Sequence, residues 1–475
     1  MKIARYISVA SLALSLGALP AVAAEPAKAD PRTMTFKPLN FSIPKTERAV
    51  LANGMVVHML EDHELPIVNI TAYVRTGGVY EPPEKAGLAG LTGAVMRSGG
   101  TLELAPEALD EELEFMASSV ESYIGSDAGG AAVTTLSRNL DRTLAIFSQV
   151  LMKPAFREDR VKLAINRTLE SLRRQNDDPK GIAGRELRKA LYAGHPLGQY
   201  PRLETVGRIV RDDLVQFHRR FYRPDNLILA VSGDFNRKDL LVKLEKHFAG
   251  WRGEGEMPAP VADPAMEMKP AVLLVQKEVN QSVIRMGHGG IDKNNPDLHA
   301  IKVMDYILGG GFTSRLMQEI RSNQGLAYNA TGGFEVGRRF AGIFEAETET
   351  KSESTARTVE LMLKIIGDMT KAPVSDEELN LARDAIINSF IFGFTKPDVI
   401  VSQRARLEYY AYPPDYLEKY RERISRVTRE DVLRVARKYL RPEAMTVLVV
   451  GDAGKFDKPL STVGKVQEIR LENGK

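Results

Sequence analysis

The chain has 475 residues, of which 43% are hydrophobic and 27% charged, and its 65 basic and 62 acidic side chains leave a net charge of +3. A soluble globular protein has this composition, and the length exceeds one hydrophobic core, so at least two domains are expected. The sequence contains no block of like charge, which argues against a nucleic-acid-binding surface. Because there is no cysteine, disulfides and a cysteine-linked lipid anchor are excluded.

Residues 1–24 have the pattern of a secretory signal peptide. Lys2 and Arg5 precede an apolar stretch from Tyr6 to Leu19, and small residues suited to a signal peptidase follow. The stretch is too short to cross a bilayer, so a cleaved signal is preferred to an uncleaved anchor. No other stretch is apolar for long enough to span a membrane. We expect an exported protein, in a bacterial periplasm.

Strands and helices alternate irregularly through the first half of the mature chain. Ala49–Met59 and Ile67–Arg75 are predicted strands joined by a polar turn. The next elements are two helices, two strands and a third helix, predicted at Lys85–Arg97, Leu109–Ala117, Ser119–Ser126, Ala131–Leu136 and Leu140–Met152. This order predicts an α+β fold with helices packed on a sheet.

A segment near the end of the first half recurs near the end of the chain. Residues 213–234 and 431–452 align without a gap, at an offset of 431 − 213 = 218 residues. Each copy has an amphipathic helix stopped by an Arg-Pro pair, then an apolar strand that ends at Gly-Asp. The chain is therefore predicted to be one plan built twice.

The stretch Gly253–Lys269 is rich in glycine, proline, alanine and glutamate and reads as a linker. It divides the mature chain into halves predicted at 42–252 and 270–460. Residues 25–41 are expected to form a loosely held leader, and the last dozen residues a tail.

Several motifs occur in a characteristic order. They are Leu51-Ala52-Asn53-Gly54, Gly87-Leu88-Ala89 before a helix ending at Gly100-Thr101, Gly194-His195-Pro196-Leu197-Gly198, and the Arg-Pro-x-Asn turn at 223–226. Together they resemble the pitrilysin/insulinase, or inverzincin, family of zinc peptidases over most of the mature chain. The resemblance implies two homologous α/β-roll halves, as in the mitochondrial processing peptidases.

The zinc-binding motif of that family is missing. Aligning Gly-Leu-Ala places Gly90, Gly93 and Ala94 where the family has its first histidine, its glutamate base and its second histidine. Glu170, at the position that resembles the third ligand, is expected to be a solvated helix residue. Catalytic zinc needs three protein ligands and a water, and a base must accept a proton from that water. We therefore expect no metal cofactor in this chain and no activity from it alone.

The histidines offer no substitute site, because no two are three or four residues apart on a helix. They are His58, His63, His195, His218, His247, His288 and His299. Other hydrolase classes are also excluded: the sequence has no G-x-S-x-G elbow, no cysteine nucleophile and no paired-aspartate signature.

The second half contains a glycine-rich turn, Gly309-Gly310-Gly311, followed by a predicted helix. Thr313 or Ser314 is expected to cap that helix, and its buried side is predicted to comprise Leu316, Met317 and Ile320. A turn of this kind can cradle phosphate, but the Walker and dinucleotide patterns are absent, which argues against nucleotide binding.

Arg321 and Tyr328 are seven residues apart, the spacing of the arginine/tyrosine element that the family carries in its non-zinc half. The resemblance implies that both are catalytic: the tyrosine hydroxyl can donate to a carbonyl oxygen that gains charge, and the arginine can hold the substrate backbone. It also implies that Gly309, Gly310 and Gly311 contact substrate. A surface arginine and a half-buried core tyrosine are the alternative reading.

The strand around residues 121–127 corresponds to the edge strand on which the family pairs an extended peptide. The residues expected to contact substrate are Glu121, Ser122, Tyr123, Ile124 and Gly125. An ordinary edge strand without a ligand is the alternative.

Two functions remain from the sequence. The first is an accessory subunit of a heterodimeric peptidase, in which a zinc-bearing insulinase-family partner cleaves unfolded peptides with the help of this chain's arginine and tyrosine. The second is an inactive pseudo-peptidase that binds peptides or acts as a scaffold. No nucleic acid and no stable membrane insertion are expected in either.

Overall fold

The computed structural model describes residues 41–266 and 269–471. The predicted signal peptide lies outside this part and stays a prediction, as do the predicted domain boundaries. The described residues form two six-stranded sheets that carry helices, one sheet in each half of the chain. The prediction of an α+β fold with two similar halves is therefore confirmed.

Six strands form the sheet of the first half. They are β1 (Glu47–Val50), β2 (Val56–Glu61), β3 (Ile67–Val74), β4 (Ser119–Ile124), β5 (Gly129–Leu136) and β6 (Leu227–Gly233). Their order is β1-β2-β6-β3-β5-β4, and only β2 and β6 are parallel neighbours. Strand β4 therefore lies at an edge of the sheet.

The sheet of the second half has the corresponding order. Its strands are β7 (Ala271–Gln276), β8 (Gln281–Gly289), β9 (Ala330–Phe334), β10 (Ile343–Lys351), β11 (Thr446–Gly451) and β12 (Val466–Glu468). The order is β12-β7-β11-β8-β10-β9. Strand β11 lies between β7 and β8 as β6 lies between β2 and β3, so the two copies of the repeated segment occupy equivalent places.

The α-helices of the described chain are numbered in order. The first half has α1 (Leu88–Ser98), α2 (Pro106–Phe115), α3 (Leu140–Met152), α4 (Glu158–Arg173), α5 (Pro179–Leu191), α6 (Leu203–Gly207), α7 (Arg211–Phe221) and α8 (Arg237–His247). The second half has α9 (Leu298–Gly309), α10 (Thr355–Asp368), α11 (Asp376–Phe390), α12 (Pro397–Tyr409), α13 (Tyr416–Ser425) and α14 (Arg429–Tyr439). Each of these is too short or too polar to span a bilayer.

Two helices cross from their own half to the sheet of the other half. Helix α5 packs on β8 and β11, and α12 packs on β2, β3 and β6. Ile182 and Leu187 of α5 are fully buried against the second sheet, and a fully buried aliphatic side chain contributes about 1.5–3 kcal/mol. This crossing also explains why every residue of β6 is buried. Helix α12 covers one face of the strand, and the core of the first half covers the other.

Polar contacts add to the junction between the halves. Glu408 of α12 accepts three hydrogen bonds from Arg48, at 2.8 Å from Nη2 and at 2.9 and 3.2 Å from Nε, and lies 2.8 Å from Nε2 of His58. The Tyr409 hydroxyl donates to the carbonyl of Val74 at 3.2 Å. The second half is thus held to β1, β2 and β3 by hydrogen bonds as well as by apolar packing.

The single strand predicted at Ala49–Met59 is wrong. The chain forms a hairpin there, with β1 and β2 antiparallel and a turn at residues 51–55. Gly54 has φ = +90°, a conformation that favours glycine. The Asn53-Gly54 pair is a strong hairpin signal in a sequence. The apolar residues on either side of it suggested one continuous strand instead.

Two aspartates of α9, Asp297 at its N-cap and Asp305 within the helix, differ sharply in environment. Burial raises the pKa of Asp305 to about 8, and its Oδ1 atom is buried without a hydrogen-bond partner. Burial also acts to raise the pKa of Asp297, but ion pairs with Lys438 and Arg434, at 2.9 and 2.7 Å, outweigh it and lower that pKa to about 2. The two carboxyl groups should therefore affect stability with opposite signs.

Asp305→Asn is expected to raise the free energy of unfolding at pH 9 by about 1–3 kcal/mol and to change it little at pH 5. The pKa of Asp305 in the folded protein is above its unfolded value of about 3.9. Its contribution to the free energy of unfolding is therefore complete below pH 4 and is lost as the pH rises through 8. Asp297→Asn is the matched control, and it should destabilise at both pH values. Urea unfolding at each pH measures the effect. Equal losses from the two variants would contradict the assignment.

Candidate functional site

Helix α1, which carries the degenerate motif, lies directly against the edge strand β4. A Cβ atom added at Gly93 would be 2.3 Å from the backbone nitrogen of Ile124 and 2.6 Å from the carbonyl carbon of Tyr123. The hydroxyl of Ser122 donates to the carbonyl of Gly93 at 2.6 Å and accepts from the backbone N–H of Arg97 at 3.2 Å. At position 93, where the family places its glutamate base, there is no room for any side chain.

The other two motif positions face solvent. Gly90 and Ala94 are exposed, and a Cβ atom at Gly90 would meet nothing within 4 Å. Glu170 is also exposed, with 60% of its side chain accessible, and it pairs with Arg173 one turn along α4. In the described residues no three His, Cys, Asp or Glu side chains converge on a point that could hold a metal. The residues at this site therefore do not fit zinc.

A cavity of about 310 Å3 lies beside Gly90, and Glu81 is the carboxylate on its wall. Burial raises the pKa of Glu81 to about 6, although its oxygens accept hydrogen bonds from the backbone N–H groups of Gly87 and Ala89. The side chain caps the first turn of α1 and so satisfies N–H groups that a helix start leaves free. Sequence reasoning missed Glu81, because its partners are backbone atoms brought to it by folding.

Strand β4 is an edge strand, as predicted, and it pairs only with β5 within the sheet. Glu121 and Tyr123 are exposed, and Tyr123 has 45% of its surface accessible. Gly125 is already engaged: its N–H donates to Ala128 at 2.8 Å and its carbonyl accepts from Gly78 at 2.9 Å. Of the residues predicted to pair with a peptide, Gly125 therefore has no free main-chain group.

The arginine/tyrosine segment follows α9 and winds as a π-helix at Met317–Asn323. Short π-helical stretches often occur at functional sites. Arg315 makes two hydrogen bonds with Glu378, at 2.7 and 3.0 Å, which fix the start of the segment. At its other end, the hydroxyls of Thr350 and Thr348 on β10 donate to the carbonyls of Leu326 and Asn329. The backbone on both sides of Tyr328 is thus pinned.

Arg321 lies within cation–π distance of two aromatic rings. Its guanidinium carbon lies 4.8 Å from the ring centroid of Tyr328 and 5.4 Å from that of Phe312. Both rings face solvent, with 84% of Tyr328 and 72% of Phe312 exposed. Within the described part of the chain, the guanidinium has no hydrogen bond or ion pair. Its N–H donors and the Tyr328 hydroxyl are therefore available to a ligand.

The surroundings of this stack correct two expectations. The Thr313 and Ser314 side chains do not cap a helix: the Ser314 hydroxyl, one residue before the helical turn at 315–316, is buried without a hydrogen-bond partner. Leu316, Met317 and Ile320 are buried, as predicted. Tyr328 is not the half-buried core residue of the alternative reading, since it is largely exposed.

The glycines before the segment have a packing role that the sequence did not indicate. A Cβ at Gly309 would be 2.2 Å from the backbone nitrogen of Gly332, and one at Gly310 would be 2.7 Å from the Cα of Tyr306. Gly309 allows the end of α9 to approach β9, and Gly310 allows the chain to lie against the last turn of α9. The contact of Gly309, Gly310 and Gly311 with substrate stays a prediction. No hydrogen bond, ion pair or ring contact of the described residues joins this segment to β4.

Two family models match this chain. Residues 56–202 match the insulinase model of peptidase family M16, and residues 208–386 match the model of the peptidase M16 inactive domain. Together the two ranges cover most of the chain. The chain belongs to the insulinase family. The resemblance inferred from its motifs is thereby confirmed.

Relatives of this insulinase-family chain have names of two kinds. An uncharacterized zinc protease of Mycobacterium leprae is 25% identical, with 64% of this chain and 69% of the relative covered. The non-peptidase homolog YmxG of Helicobacter pylori is 26% identical, with 69% of this chain and 76% of the relative covered. A family that includes a non-peptidase member accommodates a chain without zinc ligands.

Solved structures agree with the fold. The peptidase M16 inactive domain from Pseudomonas fluorescens superposes with a TM-score of 0.80 at 26% identity, covering 88% of this chain and all of that one. A protease from Helicobacter pylori has a TM-score of 0.78 at 19% identity and covers 86% of this chain. The present chain is an insulinase-family member that lacks the zinc-binding residues of the family.

Proposed function

We propose that this chain is the non-zinc subunit of a heterodimeric peptidase and supplies Arg321 and Tyr328 to a zinc-bearing relative that cleaves unfolded peptides. The observation that carries the proposal is that Arg321, whose guanidinium has no hydrogen bond or ion pair among the described residues, lies beside the exposed Tyr328 in a chain without zinc ligands. A pure scaffold has no use for the exposed Arg321 guanidinium and Tyr328 hydroxyl. A peptidase subunit needs both groups to bind and polarise its substrate.

The chemistry follows from what the two side chains can donate. When water attacks a peptide carbonyl, the oxygen gains negative charge, and a donor aimed at that oxygen lowers the barrier. The exposed Tyr328 hydroxyl is such a donor. Arg321 presents several N–H groups in one plane, which suits the oxygens of a peptide backbone and adds positive potential.

The edge strand β4 would hold the rest of the substrate. An extended peptide can add to a sheet edge through main-chain hydrogen bonds, and residues 119–124 have no strand neighbour on that side. Only an unfolded segment can pair in this way. The signal-like residues 1–24 support a location outside the cytoplasm, in a bacterial periplasm, so the zinc-bearing partner should be exported too.

The test is reconstitution. We expect no peptide cleavage from the purified mature chain, little from a zinc-bearing relative of the same compartment, and robust cleavage from the mixture. Full activity of the zinc-bearing chain alone would overturn the proposal. Tight peptide binding by this chain with no gain in the mixture would instead support the pseudo-peptidase alternative.

A further inference from the structure

Phe312 is the third member of the stack around Arg321, and the proposed function gives it no role. With 72% of its surface exposed, the ring is among the most exposed large apolar side chains of the described chain. Scattered exposed apolar residues need no explanation. Phe312 differs because its ring lies on a functional cation, 5.4 Å from the guanidinium carbon of Arg321.

The turn that carries Phe312 is itself held in place. The side-chain amide of Gln318 donates to the Phe312 carbonyl at 2.7 Å, and the N–H of Ser314 donates to the carbonyl of Gly311 at 3.0 Å. The first contact links the turn to the π-helical segment that contains Arg321, and the second closes the turn itself. The ring and the guanidinium therefore belong to one hydrogen-bonded unit.

The two rings restrict the guanidinium in a specific way. With the rings of Phe312 and Tyr328 both within cation–π distance of the guanidinium, the N–H groups that the rings do not cover are left for a ligand. An arginine side chain is otherwise free to sample many rotamers, and ordering it on binding weakens binding. Contact with the rings orders the side chain before a peptide binds, and so reduces the conformational entropy that is lost on binding.

We propose that Phe312 is a positioning residue for Arg321: it fixes the guanidinium plane so that the N–H edge meets the oxygen atoms of an extended peptide backbone. The proposal rests on the proposed function and deepens it. Phe312 itself donates nothing, and its effect is transmitted through Arg321.

The experiment uses the reconstituted complex with its zinc-bearing relative. Phe312→Ala should lower kcat/KM about two- to fivefold, the range expected for one exposed cation–π contact, mainly through a higher KM. Phe312→Tyr, which keeps the aromatic face, should restore most of the loss, whereas Phe312→Leu should not. Phe392→Ala is the matched control, because Phe392 is 70% exposed in the same half without an arginine on its ring.

A double-mutant cycle separates positioning from a structural role. Adding Phe312→Ala to Arg321→Ala should cause no further loss, since Phe312 acts through that side chain. An equal loss in both backgrounds, or full rescue by Phe312→Leu, would overturn the inference. A large loss from Arg321→Ala with none from Phe312→Ala would overturn it and leave the proposed function standing. No loss from Arg321→Ala would overturn both.

Discussion

Tyr328→Phe is expected to lower the kcat of the reconstituted complex by about 10²-fold, the usual effect of removing one donor to a developing oxyanion. The variant deletes only the hydroxyl, and the ring that stacks on Arg321 remains. Because the hydroxyl acts in the transition state, KM should change little. Since Tyr328 is 84% exposed, the unfolding midpoint should be unchanged. Steady-state cleavage of a fluorogenic peptide measures the effect.

Arg321→Ala should give a loss of similar size that appears in both kcat and KM, because the guanidinium contacts the substrate before and during the reaction. Arg219→Ala is the control, since Arg219 is an exposed arginine on α7, away from the stack. If Tyr328→Phe and Arg321→Ala both retained wild-type kinetics in the complex, as the control should, the proposed catalytic role of the pair would be wrong.

Restoring the family motif with Gly90→His, Gly93→Glu and Ala94→His should not create a zinc peptidase. The added atoms at position 93 have no space, since even a Cβ would lie 2.3 Å from a backbone nitrogen of β4. The variant should therefore be destabilised strongly, because forcing atoms into a packed contact costs about 1–3 kcal/mol even for small insertions. Urea unfolding, zinc content and peptide cleavage by the isolated variant check this expectation.

A matched pair isolates the steric part of that prediction. Gly93→Ala should destabilise the protein by about 1–3 kcal/mol, whereas Gly90→Ala should stabilise it by up to about 1 kcal/mol, because alanine favours a helix and position 90 is open. A triple variant that folded normally and cleaved peptides unaided would contradict this prediction. It would show that the site lacks only its ligands, and that the backbone around position 93 can move to accept a side chain.

The sequence predicted the features that depend on local pattern or on repetition. The offset of 218 residues placed β6 and β11 in equivalent positions, and the predicted helix at Leu140–Met152 agrees with α3. The loss of both histidine ligands was also evident once the family resemblance had aligned positions 90 and 94, because glycine and alanine side chains cannot coordinate a metal. The family resemblance, in which an arginine and a tyrosine have this seven-residue spacing, implied that Arg321 and Tyr328 belong together.

Features that depend on distant packing could not be predicted. Nothing in the helical pattern of α5 or α12 indicates that each packs on the opposite sheet, since an apolar stripe does not specify its partner. The closeness of Gly93 to β4 depends on a strand 26 or more residues away. Likewise, Phe312 follows the glycine-rich turn in the sequence, but only the fold shows that its ring lies 5.4 Å from the guanidinium carbon of Arg321.

The crossing of α5 and α12 bears on how such a chain could have arisen. Two similar halves, each with a helix packed on the sheet of the other, are related as the protomers of a domain-swapped dimer. A solitary ancestral half would have left an apolar sheet face bare, so it would have been driven to pair with a copy of itself. Gene duplication and fusion would then join protomers that already depended on each other, after which one copy of the active surface could diverge while the shared architecture persisted.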